Sequence, residues 1–104
     1  MQNKKYMQIA IQEGWKAVKE GNPPFASCLL FSDGSYVCNH NTTSTSKNIL
    51  NHSEITLLHE AINKYGNDKL KNATLYTTVF PCTMCYGACC WGEIGKIVYC
   101  LDSN

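Results

Sequence analysis

The chain has 104 residues, and a domain of this size buries roughly two thirds of its unfolded surface around one core. Its formal charge of +1 comes from nine lysines, eight acidic residues and no arginine, which disfavours the basic, arginine-rich surface that polynucleotide-binding proteins use. The hydrophobic fraction of 44% contains no apolar run of membrane-spanning length, so residues 1–104 are predicted to form a single globular domain with no membrane partner.

The number of cysteines and the N-terminal residues indicate the cellular compartment of the protein. Seven cysteines are an odd number, and residues 1–5 are polar without a signal-peptide pattern. These features predict a cytoplasmic protein with reduced thiols rather than a secreted disulfide scaffold. Cys28, Cys38 and Cys100 lie in apolar, strand-like stretches, where we expect small buried thiols.

The first half of the chain predicts a helix, a hairpin and a loop. Apolar residues recur at helical spacing over residues 6–19. Residues 25–31 and 35–39 are predicted to be two strands joined at Asp33-Gly34, a pair that is typical of hairpin turns. Residues 39–51 are rich in Asn, Ser and Thr without periodicity, which indicates a loop.

The second half predicts two helices that alternate with two strands. Asn51 is the expected N-cap of a helix that ends at Gly66. The predicted apolar face of this helix consists of Ile55, Leu58, Ile62 and Tyr65. Residues 73–79 are predicted to form the third and central strand, 83–91 a helix and 96–101 the fourth strand. Together these elements indicate an α/β domain with a mixed sheet.

Three residues form a pattern of metal ligands. Cys82 and Cys85 are separated by two residues at the start of the third predicted helix, where exposed amides favour the thiolate that binds metal. His52 supplies a third ligand, and three protein ligands leave one tetrahedral position open, as in catalytic zinc sites. Cys89 lies one helical turn after Cys85 and would close the site as a fourth ligand, but we expect it to pack in the core.

Glu54, two residues after His52, has two interpretations. An HxE followed by PCxxC is the signature of zinc-dependent nucleobase deaminases, in which the glutamate carries protons and is not a ligand. Asn51 and Glu54 also have the spacing of a capping box, in which the glutamate would only satisfy the helix start. His52 together with the distant PCxxC favours the first interpretation.

With these motifs the sequence resembles the cytidine deaminase superfamily over nearly its whole length. The resembling stretches are Gly-Asn-Pro-Pro-Phe at 21–25, His-Ser-Glu-Ile at 52–55, Leu-Tyr-Thr-Thr at 75–78, Pro-Cys-Thr-Met-Cys-Tyr-Gly-Ala at 81–88 and Trp-Gly-Glu-Ile-Gly-Lys-Ile-Val-Tyr at 91–99. The last series is most similar to the guanine deaminase and fungal cytosine deaminase branch. The resemblance implies a three-layer α-β-α fold around a central mixed sheet of four strands.

The resemblance also implies a substrate pocket. Asn41 stands eleven residues before His52, where relatives carry an Asn that contacts the base, although Asn in such a loop also forms turns. Phe25 would form an apolar wall, and Ser53, where relatives usually have Ala or Gly, is assigned to the same pocket. Ala26 replaces the usual Gly, which leaves open how closely the backbone approaches the substrate. Phe80 replaces the Glu of the guanine and tRNA-adenosine branches and leaves the substrate branch open.

The resulting prediction is a zinc-dependent hydrolytic deaminase of a small nucleobase, guanine- or cytosine-type, or of a nucleoside. Zn²⁺ held by His52, Cys82 and Cys85 would activate water, and Glu54 would move the protons. The alternatives are a nucleic-acid editing deaminase acting on tRNA adenosine or single-stranded cytosine, and a deoxycytidylate-type nucleotide deaminase. A non-enzymatic zinc domain is the least favoured.

A further expectation concerns the strand at 96–101. Relatives continue beyond it with a fifth strand and C-terminal helices that the sequence lacks. This predicts an exposed apolar edge and a pocket that is more open to water. We therefore expect a homodimer that buries this edge or a helix face, and an enzyme that is slower or more permissive than its relatives.

Overall fold

The computed structural model describes residues 2–101, with side chains from residue 4 onward. Its elements are α1 Gln2–Lys19, β1 Ala26–Leu30, β2 Tyr36–His40, α2 Ser53–Tyr65, a 3-10 turn Asn67–Leu70, β3 Thr74–Val79, α3 Thr83–Trp91 and β4 Lys96–Leu101. Every predicted helix and strand is present, and α1 begins four residues earlier than the periodicity predicts. No helix within the described residues is long and apolar enough to cross a membrane.

The four strands form one mixed sheet in the order β2-β1-β3-β4. Strand β1 runs antiparallel to β2 and to β3, whereas β3 and β4 are parallel and are connected through α3. Parallel neighbours need such a crossover, while β1 and β2 need only a hairpin. Gly34 closes that hairpin with a φ of +93°, a value that favours glycine. The predicted central position of β3 is confirmed.

Helix α1 covers one face of the sheet. Its core consists of Tyr6, Ala10, Cys28 and Tyr76. Gly14 allows close packing, because a Cβ there would lie 3.1 Å from the carbonyl oxygen of Pro24 and 3.9 Å from the Cβ of Ala26. The methyl group of Ala26 therefore faces α1, and the neighbouring side chain, Ser27, faces the opposite layer because strand side chains alternate.

Helices α2 and α3 cover the other face. The buried residues of this core include Leu29, Leu57, Leu58, Ala61, Leu75 and Cys89. The predicted apolar face of α2 is partly wrong, since Leu57 and Ala61 are fully buried, whereas Ile62 is only partly buried and Tyr65 is 43% exposed. The stripe of α2 against the sheet starts with the buried polar residues Ser53 and Glu54, which an apolar pattern does not detect.

Cys28 and Cys38 form a disulfide across the hairpin. The two residues are partners in the β1–β2 register, and their Cα atoms are 4.1 Å apart. The expectation of two reduced, independently buried thiols is therefore wrong. The physical reason is the strand register, which brings residues ten positions apart into direct opposition. Cys100 is a free thiol, but it is exposed rather than buried.

His40 fastens the end of β2 to α1. Its Nδ1 lies 3.0 Å from Glu13 Oε1, and its Nε2 lies 2.9 Å from Glu20 Oε1. Burial alone would lower the pKa of His40, but the hydrogen bonds to Glu13 and Glu20 raise it above its usual value. The chain is thus held in place immediately before Asn41.

Candidate metal centre and adjoining cavity

The metal-ligand candidates lie at two helix starts. His52 is the N-cap residue of α2 and Cys82 is the N-cap residue of α3, and neither side chain caps its own helix. Their backbone carbonyls accept the first helical hydrogen bonds, from Thr56 and Tyr86, at 3.0 and 2.8 Å. The imidazole and the thiol are therefore available to each other, and Cys85 joins them from the first turn of α3.

The distances from the His52 imidazole to the two sulfurs match a zinc tetrahedron. His52 Nδ1 lies 3.6 Å from the sulfur of Cys82 and 3.6 Å from the sulfur of Cys85. All three ligand atoms lie within 4.8 Å of one another. Zinc–nitrogen and zinc–sulfur bonds of ordinary length at the tetrahedral angle place N and S about 3.6 Å apart. These three residues could hold a zinc ion and would leave its fourth position to a non-protein ligand.

The surroundings of Cys85 also favour a bound cation as the partner of its thiolate. Burial raises the pKa of its thiol far above the usual range, and the negative charge of Glu54 raises it further. A thiolate at this position therefore needs a positive partner, and a bound metal ion supplies one. The donor set and its surroundings thus fit zinc.

The other candidate ligands lie outside this group. Cys89 is buried in the core under α2 and α3, and burial raises its pKa to about 12. His59 is exposed on α2, and His40 is paired with the carboxylates of Glu13 on α1 and Glu20 just after it. Among the residues that the structure describes, His52, Cys82 and Cys85 form the one cluster suited to a metal ion. The expectation that Cys89 packs in the core agrees with this placement.

Glu54 is 7% exposed and does not cap α2. The predicted N-cap, Asn51, is wrong, because the helix starts at Ser53 with His52 as its N-cap. The side-chain amide of Asn51 instead donates to Ser46 in the preceding loop. The Glu54 Oε1 atom accepts a hydrogen bond from Ser53 Oγ at 2.9 Å, so the capping-box interpretation does not describe this carboxylate.

A cavity of about 400 Å³ adjoins the cluster, a volume in the range of small-ligand sites. Its lining consists of Phe25, Asn41, His52, Glu54, Val79, Phe80, Cys82 and Leu101. The structure therefore brings five predicted residues to one cavity: His52, Cys82, Glu54, and the Asn41 and Phe25 of the expected pocket.

Asn41 is held in place before any ligand binds. Its backbone N–H donates to the carbonyl of Phe25 at 2.8 Å. Its Oδ1 accepts from the backbone N–H and the hydroxyl of Thr43 at 2.9 and 2.8 Å. The oxygen of Asn41 therefore forms a turn, as one interpretation expected. Its contact with a substrate stays a prediction, for which the amide nitrogen would be the donor in the cavity that Asn41 lines.

Ser53 does not line this cavity. It is 1% exposed and contacts Ser27 and Glu54 behind the site. The structure thus separates it from Asn41 and Phe25, with which the sequence grouped it. Ser27 was not singled out from the sequence, and the only signal for it is strand alternation, which places it opposite to Ala26.

An aromatic wall stands at the cavity mouth. The rings of Phe80 and Tyr86 are stacked with centroids 5.7 Å apart, and Tyr99 meets Phe80 edge-on at 4.9 Å. Tyr86 and Tyr99 are 46% and 43% exposed. Phe80 was noticed in the sequence only as a departure from relatives. The parallel pairing of β3 and β4 brings Tyr99 to it, and α3 supplies Tyr86.

An open His-Cys-Cys cluster and a buried carboxylate, framed by an α-β-α sandwich, define the class of zinc-binding deaminase domains. The comparisons with known proteins give the family. The chain belongs to the family described as the cytidine and deoxycytidylate deaminase zinc-binding region, whose model matches residues 1–101. The family and fold expected from the sequence are thereby confirmed.

Proteins that are similar to this chain carry several substrate names. A tRNA-specific adenosine deaminase of Bacillus subtilis (strain 168) is 34% identical over 98 residues, which are 94% of this chain and 61% of that relative. A structure from studies of A-to-I editing by tRNA:A34 deaminases has a TM-score of 0.91 at 27% identity, over 99% of this chain and 79% of that one. Guanine deaminase from Bacillus subtilis has a TM-score of 0.88 at 27% identity, over 95% and 64%. The chain therefore spans less than two thirds of the length of the curated relative.

Proposed function

We propose that this protein is a zinc-dependent hydrolase that removes the exocyclic amino group of a nucleobase, as the free base or as a nucleoside. The observation that carries the proposal is the convergence of His52, Cys82 and Glu54 on one cavity that Asn41 also lines. Zinc, when bound, supplies Lewis-acid activation of water at neutral pH. His52, Cys82 and Cys85 would hold it.

The remaining steps fall to residues of the chain. Glu54 accepts a proton from the attacking water and donates it to the ring nitrogen beside the amine-bearing carbon. It then takes the proton of the hydroxyl group newly bound to that carbon and transfers it to the amine, which leaves as ammonia as the carbon–oxygen double bond forms. Asn41 donates a hydrogen bond from its amide nitrogen to an acceptor on the base. Phe25 and Phe80 provide apolar walls for a planar ring and exclude water from it.

The charge distribution supports a small substrate. Among the described residues that line the cavity and its mouth, none is a lysine, and the chain contains no arginine. A polynucleotide is held chiefly through its phosphates by basic side chains, and such contacts make binding strongly salt-dependent. A pocket of this size whose described lining has no lysine or arginine suits a base or a nucleoside.

The experiment is a measurement of ammonia release by the zinc-loaded protein. The panel contains guanine, cytosine and adenine, their nucleosides, deoxycytidylate, and short single-stranded oligonucleotides. We expect turnover of at least one free base or nucleoside, with Glu54→Gln as the inactive control. Absence of turnover on the whole panel by protein that contains one zinc per chain would contradict the proposal.

A second candidate is deamination of adenosine in tRNA. Two observations favour it: the name of the Bacillus subtilis relative, and the exposed ring of Tyr86, which is stacked with Phe80 and on which a flanking base could stack. An anticodon stem-loop RNA in the same assay separates the candidates. Faster turnover of this RNA than of any free base, with binding that weakens steeply in salt, would favour the tRNA function.

We also propose that the protein forms a homodimer through the face between α2 and α3. A groove of about 500 Å³ on this face is lined by Ile55, Leu58, Ile62, Leu70 and Ala88, and Trp91 beside it is 90% exposed. A face that carries both a groove and a protruding ring is complementary to itself, as a two-fold interface requires. Sedimentation should show a dimer that Trp91→Lys dissociates and that Ile49→Lys, in the exposed loop before α2, leaves intact. A stable wild-type monomer at high concentration would contradict this.

A further inference from the structure

Three buried polar side chains form a row behind the cavity. Ser27 on β1 and Ser53 on α2 are 0% and 1% exposed, and Glu54 is 7% exposed. Ser27 Oγ lies 2.9 Å from Ser53 Oγ, and Ser53 Oγ donates to Glu54 Oε1 at 2.9 Å. The row thus connects the sheet to the carboxylate through two hydroxyl groups.

The direction of these hydrogen bonds follows from the number of protons. A serine hydroxyl carries one proton, and that of Ser53 is used for Glu54. Ser27 must therefore be the donor to Ser53. A hydroxyl that accepts a hydrogen bond becomes a better donor, and a bond to a carboxylate is stronger than a neutral one. Both serines thus act on the same oxygen of Glu54.

The two carboxylate oxygens of Glu54 differ in their hydrogen-bond partners. Oε1 is engaged by Ser53, whereas Oε2 has no hydrogen-bond partner among the described residues. Glu54 nevertheless lines the cavity, so Oε2 is the oxygen that remains for a ligand. Ser53 cannot contact a ligand in the cavity, because it is almost fully buried and does not belong to the lining.

We propose that Ser53, supported by Ser27, is a positioning residue that fixes the Glu54 carboxylate with Oε1 bound and Oε2 presented to the substrate. The inference rests on the proposed deaminase function, in which Glu54 transfers protons. Proton transfer needs heavy atoms within hydrogen-bond distance and correctly aligned, so a carboxylate free to rotate reacts more slowly. Binding of the substrate, which depends on other residues, is not affected.

The kinetic test is a double-mutant cycle of Ser27→Ala, Ser53→Ala and the double variant. We expect Ser53→Ala to lower kcat about tenfold and Ser27→Ala about threefold, with KM within about twofold and zinc content unchanged. Because Ser27 acts through Ser53, Ser27→Ala should have no further effect on kcat in the Ser53→Ala background. Equal kcat for Ser53→Ala and wild type, or independent effects of the two serines, would overturn the proposal.

A second measurement does not depend on activity. Crystal structures of the zinc-loaded wild type and Ser53→Ala should show one conformer of Glu54 in the wild type and a rotated or mixed carboxylate in the variant. An unchanged Glu54 in Ser53→Ala would overturn the positioning role even if no substrate were found. An inactive wild type in which the carboxylate still moves on Ser53→Ala would instead contradict the proposed function alone.

Discussion

The molecule contains two pairs of cysteines that lie close together, and they have different chemistry. Cys28 and Cys38 face each other across two strands beside Tyr6 and Tyr76, and they form a disulfide. Cys82 and Cys85 lie at a helix start, and both sulfurs are 3.6 Å from the same imidazole nitrogen. The residues around a pair of thiols thus determine whether the thiols form a disulfide or can bind a metal ion. In an apolar core the two sulfurs can bond only to each other, whereas beside His52 they can share a cation.

The largest expected effect separates the two pairs directly. Replacing Cys85 by Ala removes a metal ligand, so zinc content and turnover should fall to background and the melting temperature should drop. Cys28→Ala is the matched control, because Cys28 is equally buried but lies on the other face of the sheet. It should retain one zinc per chain, as measured by atomic absorption. Full zinc occupancy in Cys85→Ala would rule out the assigned ligand set.

The next largest effect concerns Glu54, the carboxylate beside Cys82 and Cys85. Glu54→Gln keeps the hydrogen-bonding shape but cannot carry protons, so turnover should fall by about 10²- to 10⁴-fold. Zinc content should stay at one per chain. Glu60→Gln, on the exposed side of the same helix, serves as the control and should be as active as wild type. If Glu54→Gln lost only about 1 kcal/mol of stability and kept its turnover, a helix-start role would be the better account.

Loss of the disulfide between Cys28 and Cys38 should affect stability rather than activity. Its disulfide links residues ten positions apart, and a loop of this length contributes about 2–3 kcal/mol. The Cys28→Ala/Cys38→Ala variant should unfold at lower urea concentration than wild type, with zinc content unchanged. Cys100→Ala, which removes an exposed free thiol, should unfold like wild type. Identical midpoints for wild type and double variant without reducing agent would contradict the disulfide.

The smallest effect lies at the end of the disulfide-bonded hairpin, where His40 meets α1. Because the folded protein raises the pKa of His40, its ion pairs with Glu13 and Glu20 stabilise the fold fully below the unfolded pKa of about 6.5. This stabilisation is lost as pH rises through the folded pKa. His40→Gln should therefore lower the melting temperature more at pH 5.5 than at pH 9. A difference that does not depend on pH would contradict the ion pairs.

The pairing of Cys82 with Cys85 was predicted from the sequence, whereas the disulfide between Cys28 and Cys38 was missed, and the difference has a physical reason. Two thiols separated by two residues are neighbours in any local structure, so Cys82 and Cys85 could be paired without knowledge of the fold. Cys28 and Cys38 become neighbours only through the register of β1 and β2, which depends on the exact hairpin turn. A shift of one residue would have moved the two side chains to opposite faces.

The same distinction applies to the site. The order of elements and the identity of Glu54 follow from patterns that are local or have characteristic spacing. The position of Ser53 does not, because its partner Ser27 lies on a different element. The start of α2 was misplaced by one residue, because Asn51 is an intrinsically good cap but its side chain is hydrogen-bonded to Ser46 in the preceding loop.

The two uncapped helix starts have a consequence for the metal-free protein. His52 and Cys82 occupy positions where a side-chain oxygen normally satisfies the first amides, yet both side chains point to each other instead. Without a cation, burial keeps the pKa of the Cys85 thiol far above its usual range, so this thiol stays protonated. A zinc ion held by His52, Cys82 and Cys85 would link the starts of α2 and α3, so we expect these two helices to become more rigid together when zinc binds. Hydrogen exchange of the amides in the first turns of these helices would record this as slower exchange on zinc addition, while α1 would change little.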